Sequence, residues 1–432
     1  MSQGAESTEE TLLDNLGAEY VARRQIRLHL LEQRFKYPVR MLNTMMRAAG
    51  ISEDTMKRTA WLRKLRERMG NFTFSTSFSG IDTPNIAFLL LSAGVDELDP
   101  TDANGKPSSL QPPRNLWACE ISNACRRELS DSVNKPRCIF GNIQDFWQDI
   151  LKSKLDNIRQ NNLVDRVLLP LVKSGEAIKK DAFCHSCQRV HSAEEADLHK
   201  AGTHCTAFSR KGLHQMLEDI TVMDLMAWIG QRRLIQERII CQENVEDFPS
   251  EKILEWLGDL YDIQVILLCP SDLGWGIRRR RKFHIMRHKY KAGPMSCPLH
   301  VFAHLFVTEE EKQLLKKKTS SLLPEWDMYF VATPDELTDE MEWAMSRDKS
   351  QQKLNDQGSV NWKDMTPGGA YEMCLNNFEF GQLQKYREQW PAQCYQLNQS
   401  FDQQATHSSD LYLPTIIKNA GIIWPFGLIL NI

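Results

Sequence analysis

Between residues 71 and 288, short β-rich runs alternate with helical stretches, and this alternation constrains the fold more than any other feature of the chain. The runs are "NFTFSTSFSG" (71–80), "RNLWACEI" (114–121), "PRCIFGNI" (136–143), "ADLHKAG" (196–202), "ERIICQENV" (237–245), "YDIQVILLCP" (261–270) and "KFHIMRH" (282–288). Helical patterns separate most of them; the longest, 213–236, carries Leu213, Met216, Leu217, Ile220, Leu225 and Ile229 on one stripe. Strand–helix alternation predicts an α/β fold, a mostly parallel sheet with helices on both faces. Ligands in such folds bind at the carboxyl ends of the strands, so the residues just after each run carry the chemistry.

The flanks read differently. Residues 1–18 are acidic and rich in Ser and Thr, the composition of a disordered start. Apolar residues at helical spacing follow (Ile26, Leu30, Leu31, Phe35) until Pro38 interrupts them. A second helix is expected from an N-cap at Ser52 to a stop at Gly70. Residues 1–70 therefore form a helical N-terminal extension, read as a packing or interaction arm. The alternating region covers 71–294, with a helical insertion at 147–182. From 295 to 432 the alternation fades, and the polar, Gln-, Asn- and Asp-rich stretch 335–412 reads as a loop-rich second domain. No internal repeat is present in the sequence.

Composition narrows the class. The 432-residue chain is 42% hydrophobic and 25% charged, as in ordinary globular proteins, and its formal net charge is -3. Nucleic-acid binding must then rest on a local basic patch. The first 20 residues have no apolar core of a signal peptide. The longest apolar run, "IAFLLLSAGV" (86–95), is too short to span a bilayer, so no membrane role is expected. Eleven cysteines at irregular spacing point to a reducing compartment, nucleus or cytoplasm.

Three strand ends describe a nucleoside pocket. Gly80, in "SFSGIDTPNIAF", lets the backbone approach a ligand ahead of a helix N-terminus. Glu120 ends the second run, where a carboxylate accepts hydrogen bonds from ribose hydroxyls. Asn142 ends the third, where an amide can meet an adenine edge. Cys205 follows the fourth run and Glu243 lies near the end of the fifth, and neighbouring ends of a parallel sheet can bring thiol and carboxylate together. A cysteine attacks as the thiolate, which a flanking cation or helix N-terminus favours, and His204 adjoins it. A nucleophilic thiol beside a proton-carrying acid suits attack on an electron-poor heterocycle.

These motifs, in this order, resemble the catalytic domain of the DNA cytosine 5-methyltransferases, over residues 72–288. The likeness is to divergent algal, dinoflagellate-like forms. "FSGID" looks like the family's Phe-x-Gly-x-Gly cofactor loop, "WACEI" like its ribose-binding strand end and "GNI" like its Gly-Asp-Ile adenine contact. "GTHCTAFSRKG" looks like the Gly-x-Pro-Cys nucleophile loop, "ENV" matches Glu-Asn-Val unchanged, and "GWGIRRRRKFHIM" resembles the Gln-x-Arg-x-Arg stretch.

The resemblance implies a Rossmann-like S-adenosylmethionine-dependent methyltransferase sheet. It implies methyl transfer to carbon 5 of cytosine flipped out of double-stranded DNA, and action in the nucleus. The cofactor-binding residues implied are Phe78, Gly80, Asp82, Glu120, Ile121, Asn142 and Ile143. Cys205 would add to carbon 6, Glu243 would act at ring nitrogen 3, and Arg280 would hold the base or the cysteine loop, with Lys282 as the second cation of the pair. Asp82 replaces a glycine, His204 a proline and Arg278 a glutamine. "LPTIIKNAGIIW" (413–424) resembles the end of a target-recognition region, and no closing motif follows it, so that region is expected to be incomplete. The same ring chemistry on RNA, and a catalytically inactive nucleic-acid-binding relative, are the alternatives.

Two further motifs stand apart. "CHSCQRVH" places Cys184 and Cys187 at CxxC spacing near His191 and His199, a possible zinc set. It lacks a second ligand pair at a standard spacing, so packed, reduced cysteines and no metal are expected. "RRRRKFHIMRHKYK" (278–291) reads as a DNA-facing basic patch.

Overall fold

The computed structural model describes residues 37–51, 54–101, 110–161, 163–205, 208, 219, 221–270, 279–293, 377–389, 395–396 and 422–423. The expected helix at 26–35, the Ser52 cap, residues 209–218 and almost all of 295–432 lie outside that set. The chain divides into two compact units. One comprises 36–268 with 280–306, and the other 1–35, 269–279 and 307–432.

All seven expected strands are present in the first unit: β1 (Thr73–Ser77), β2 (Arg114–Cys119), β3 (Cys138–Phe140), β6 (Leu198–Gly202), β7 (Ile239–Val245), β8 (Tyr261–Leu268) and β9 (Arg281–His288). Two more, β4 (Asp181–Cys184) and β5 (Arg189–Ser192), form a hairpin at the end of the helical insertion. The sheet order is β5-β4-β3-β2-β1-β6-β7-β9-β8. Strands β3, β2, β1, β6 and β7 are mutually parallel, β9 runs antiparallel to β7 and β8, and β4 runs antiparallel to β3. The chain order reverses at β1, between β2 and β6, which is where ligand crevices open.

The helices of this unit are α1 (Tyr37–Ala48), α2 (Thr55–Asn71), α3 (Thr83–Leu98), α4 (Asn123–Asp131), the short α5 (Asp149–Lys152), α6 (Leu155–Gln160) and α7 (Leu169–Ser174), then α8 (Val222–Ile235) and α9 (Ser250–Leu257). Pro38 does not break a helix but sits in the first turn of α1, where its missing N–H costs nothing. Asp54, not Ser52, caps α2, its carboxylate accepting from Lys57 N at 3.0 Å. Gly70 lies inside the last turn of α2 rather than beyond it.

The pleat of β1 explains why helices cover both faces. Alternate side chains point to opposite sides, so Phe74 meets Phe88 of α3, ring centroids 4.9 Å apart. Ser75 turns the other way, its Oγ 2.8 Å from Nδ1 of buried His199 on β6. Trp228 of α8 donates its indole N–H to Nε2 of the same ring at 3.1 Å. Burial holds His199 well below the usual histidine range, so the ring is neutral and bridges sheet to helix. On this face lies the main core, from Trp117, Phe140 and Trp147 to Trp228, Trp256 and Tyr261. On the other, Leu42, Met69, Val95 and Leu110 bury α1 and α2 against α3.

The second unit contributes α10 (Asn377–Gln389), with Leu383 and Tyr386 buried, and a two-residue antiparallel pair of β10 (Tyr395–Gln396) and β11 (Ile422–Ile423). Among the described residues no helix is long and apolar enough to cross a membrane.

Candidate functional site

The loop after β1 bends through three left-handed residues, Phe78 (φ 53), Gly80 (φ 54) and Asp82 (φ 59). Glycine takes this conformation freely, and aspartate tolerates it better than most residues. Asp82 is fully buried, and its Oδ2 accepts from Asn115 Nδ2 at 2.6 Å. Its carboxylate is thus engaged inside the protein with Asn115 of β2. Burial pushes its pKa up to about 6, against the hydrogen bond from Asn115.

Glu120 follows β2 and closes the loop from the other side. Its Oε2 accepts from Gly80 N at 2.8 Å and its Oε1 from Ser122 N at 2.8 Å. Ile121 beside it is 62% exposed, an apolar face at a polar strand end. Asn142 follows β3, its Oδ1 accepting from Gln144 N at 2.9 Å, while Ile143 is buried in the core. Cys119 donates its S–H to Gly141 O at 3.2 Å and so ties the ends of β2 and β3 together. Gly80, Glu120, Ile121 and Asn142 thus edge the carboxyl ends of three adjacent parallel strands. A bent loop, a carboxylate, an exposed apolar side chain and an amide share one edge of the sheet, the place where open α/β folds bind ligands.

The thiol and the acid sit at the ends of β6 and β7. Gly202 of β6 is in register with Glu243 of β7, and Cys205 is three residues beyond Gly202. Gly202 also lies close to the loop after β1: a Cβ there would be in ordinary contact with Glu243 Oε2 at 3.4 Å and Phe78 O at 3.9 Å. Strand β7 alternates, so Glu243 and Asn244 face opposite sides of the sheet. Asn244 Nδ2 donates to Thr203 Oγ1 at 2.8 Å and reaches Thr203 O and His204 O, each at 3.3 Å. Gln242 Nε2 donates to the same hydroxyl at 2.6 Å. Two buried amides thus fix the backbone leading into Cys205, a role for Gln242 that no motif signals. Its trace in the sequence is a polar residue sharing the inward face of the strand with Ile240 and Asn244.

The cation at Glu243 is Arg281, whose Nε lies 3.0 Å from Oε1; both side chains are about four-fifths buried. Arg280 instead pairs with Glu246 at 3.5 Å on the exposed surface. Lys282 donates to Phe248 O at 2.5 Å. His204 Nε2 lies 3.3 Å from Asp224 of α8 and its ring stands edge-on to Phe78 at 5.1 Å. Asp224 also accepts from Gln144 Nε2 at 2.7 Å. A chain of contacts runs from Asn142 through Gln144, Asp224 and His204 to Phe78.

The basic stretch read as a DNA-facing patch also has partners within the chain. Arg287 pairs with Asp262, Lys289 donates to Gly258 O at 2.6 Å and Lys291 pairs with Glu195 at 2.9 Å. With Arg280, Arg281 and Lys282, every Lys and Arg from 280 to 291 has a partner within the chain. Strand β9 inserts between β7 and β8, and its charges bind the neighbouring edges.

No protein-family model and no curated protein matches the sequence. Among solved structures the chain is similar to S. pombe Dnmt2 methyltransferase (15% identity, 56% of this chain and 58% of that one, TM-score 0.33). It is also similar to Entamoeba histolytica methyltransferase EhMeth (13%, 50% and 53%, 0.28) and to a variant of Spodoptera frugiperda DNMT2 (15%, 65% and 80%, 0.28). The chain spans 58% of the length of the S. pombe protein. Its own strand order, β3-β2-β1-β6-β7-β9-β8 with one strand reversed next to the edge, defines the architecture. The fold is a Rossmann-like, mostly parallel α/β sheet with helices on both faces. The β4–β5 hairpin extends it beyond β3.

Proposed function

We propose that this protein transfers a methyl group from S-adenosylmethionine to carbon 5 of cytosine in double-stranded DNA, in the nucleus, through a covalent adduct with Cys205. The observation that carries the reading is the junction of β6 and β7. A half-exposed thiol follows one strand and a carboxylate held by Arg281 lies near the end of its neighbour, next to the carboxyl ends of β1, β2 and β3.

Glu120 would hold the cofactor's ribose, Ile121 would cover its adenine and Asn142 would meet the adenine edge. Phe78 and Gly80 would shape the wall on the methionine side. Bound there, the cofactor supplies an electrophilic methyl group on a sulfonium. The chain's own work is done on the cytosine. The thiolate of Cys205 adds to carbon 6 and forms a carbon–sulfur bond, while Glu243 carries a proton to nitrogen 3 and takes up the developing charge. Carbon 5 becomes electron-rich and is alkylated. Loss of the carbon 5 proton then expels Cys205 and restores the aromatic ring. Asn244 and Gln242 position the cysteine backbone, and Arg281 positions Glu243.

The test is covalent trapping. Incubated with cofactor and a 5-fluorocytosine duplex, the wild-type chain should form a denaturation-resistant adduct, because fluorine cannot leave as a proton does. Cys205→Ser should form none. An adduct that persists in the variant removes Cys205 from the role. Trapping on transfer RNA but not on duplex DNA would move the same chemistry to an RNA substrate.

A further inference from the structure

Three thiols outside the proposed reaction converge on one point. Cys138 begins β3, Cys184 ends β4, and Cys187 lies in the turn between β4 and β5. Their sulfur atoms all lie within 4.8 Å of one another. Topology makes the cluster: β4 returns antiparallel beside β3 with Cys184 opposite Phe140, and the turn folds Cys187 back over the strand ends. Cys138 and Cys184 are buried and Cys187 is exposed.

The turn wraps the first cysteine: backbone N–H groups of Cys187, Ile139 and Ser186 face the Cys184 sulfur. Gln188, directly after Cys187, has φ 54, the left-handed bend that turns a CxxC loop onto its first cysteine. Three sulfurs this close together can share one cation.

We propose that Cys138, Cys184 and Cys187 bind one zinc ion as thiolates, a structural centre that fastens the β4–β5 hairpin to β3. Soft sulfur ligands in a compact set select zinc among the common divalent ions. The fourth tetrahedral position, on the exposed Cys187 side, falls to water. Binding is not a redox step: each thiol that is still protonated releases its proton to solvent as the metal–sulfur bond forms. The ligand set differs from the one the sequence spacing suggests. His199 is locked between Ser75 and Trp228, His191 accepts from Arg189 at 2.8 Å, and His185 turns toward Gly141. The third ligand comes from a strand far upstream, which a spacing rule does not reach.

The experiment is elemental analysis and cobalt substitution of the full chain purified under reducing conditions, and it is independent of methyl transfer. One zinc per chain is expected. Co²⁺ should give a thiolate charge-transfer band and the visible bands of a tetrahedral site. Cys138→Ser should weaken zinc binding by more than the roughly 10- to 100-fold typical of outer-shell partners. Substoichiometric zinc with no cobalt–thiolate band overturns the proposal, as does a Cys138→Ser variant that binds like wild type. A Cys184–Cys187 disulfide in the unreduced protein that leaves no metal bound also overturns it. If the variant does not fold, the wild-type cobalt spectrum decides.

Discussion

A carboxylate buried in a left-handed turn at Asp82 is the most consequential departure at the scale of single residues. Its native pKa of about 6 stands above the value of 3.8 for the free side chain. The native state therefore binds the extra proton between those pH values. The stability this confers is complete below about pH 4 and lost as pH rises through about 6. Asp82→Asn keeps a residue that tolerates the turn and an oxygen for Asn115, but cannot ionise. Relative to wild type it should gain about 2–3 kcal/mol between pH 4 and 7, read by urea unfolding at each pH. A stability difference that is flat across this range would contradict the assignment. Arg281 supplies a second test. Arg281→Ala should lower methyl transfer on the order of 100-fold by releasing Glu243, Arg281→Lys should restore part of it, and Arg280→Ala should change little. Residue identities were legible in the sequence where a short motif holds them, as with Glu243 and Asn244. The choice of Arg281 over Arg280 was not, because adjacent residues of a strand face opposite sides and only the register with β7 decides which reaches the acid. The same holds for the cysteines. Burial pushes Cys241 to about 11 and drives Cys119 higher still, whereas Cys205 lies half-exposed beyond a strand end.

At the scale of elements, the seven strands were readable because each couples a β-rich run to a change of period. The β4–β5 hairpin was not. Its strands have four residues each and follow a helical insertion; β4 exposes Phe183, and β5 buries no residue fully and exposes Val190. Helix α8 shows what packing adds. Gly230 faces the segment before β4 so closely that a Cβ would lie 2.4 Å from Ile178 Cγ1. Gly230→Ala raises helix propensity, yet it should destabilise the protein by about 1–3 kcal/mol through overpacking, seen as a lower midpoint in chemical denaturation. A stabilised variant would mean that α8 is free to shift. Asn244→Ala loses the bonds that hold residues 203 and 204. It should reduce trapping by the 5-fluorocytosine duplex far more than it reduces the denaturation midpoint.

For the molecule as a whole, charge and its placement matter more than composition. The net charge of -3 offers no general attraction to a polyanion, and the cations of 280–291 have partners within the chain. Lys289→Ala with Lys291→Ala should therefore lower stability by up to about 1 kcal/mol. It should leave the slope of log affinity against log salt for duplex DNA unchanged. Were either lysine neutralising a phosphate, its removal would flatten that slope by about 0.9. A flatter slope would return those lysines to the nucleic-acid surface.

Asp224 gives the architecture one more consequence. A single carboxylate in the first turn of α8 meets His204, ahead of Cys205, and Gln144, two residues beyond Asn142. The loops after β3 and β6 are thereby geared to one shaft, and a displacement of that helix would carry both together.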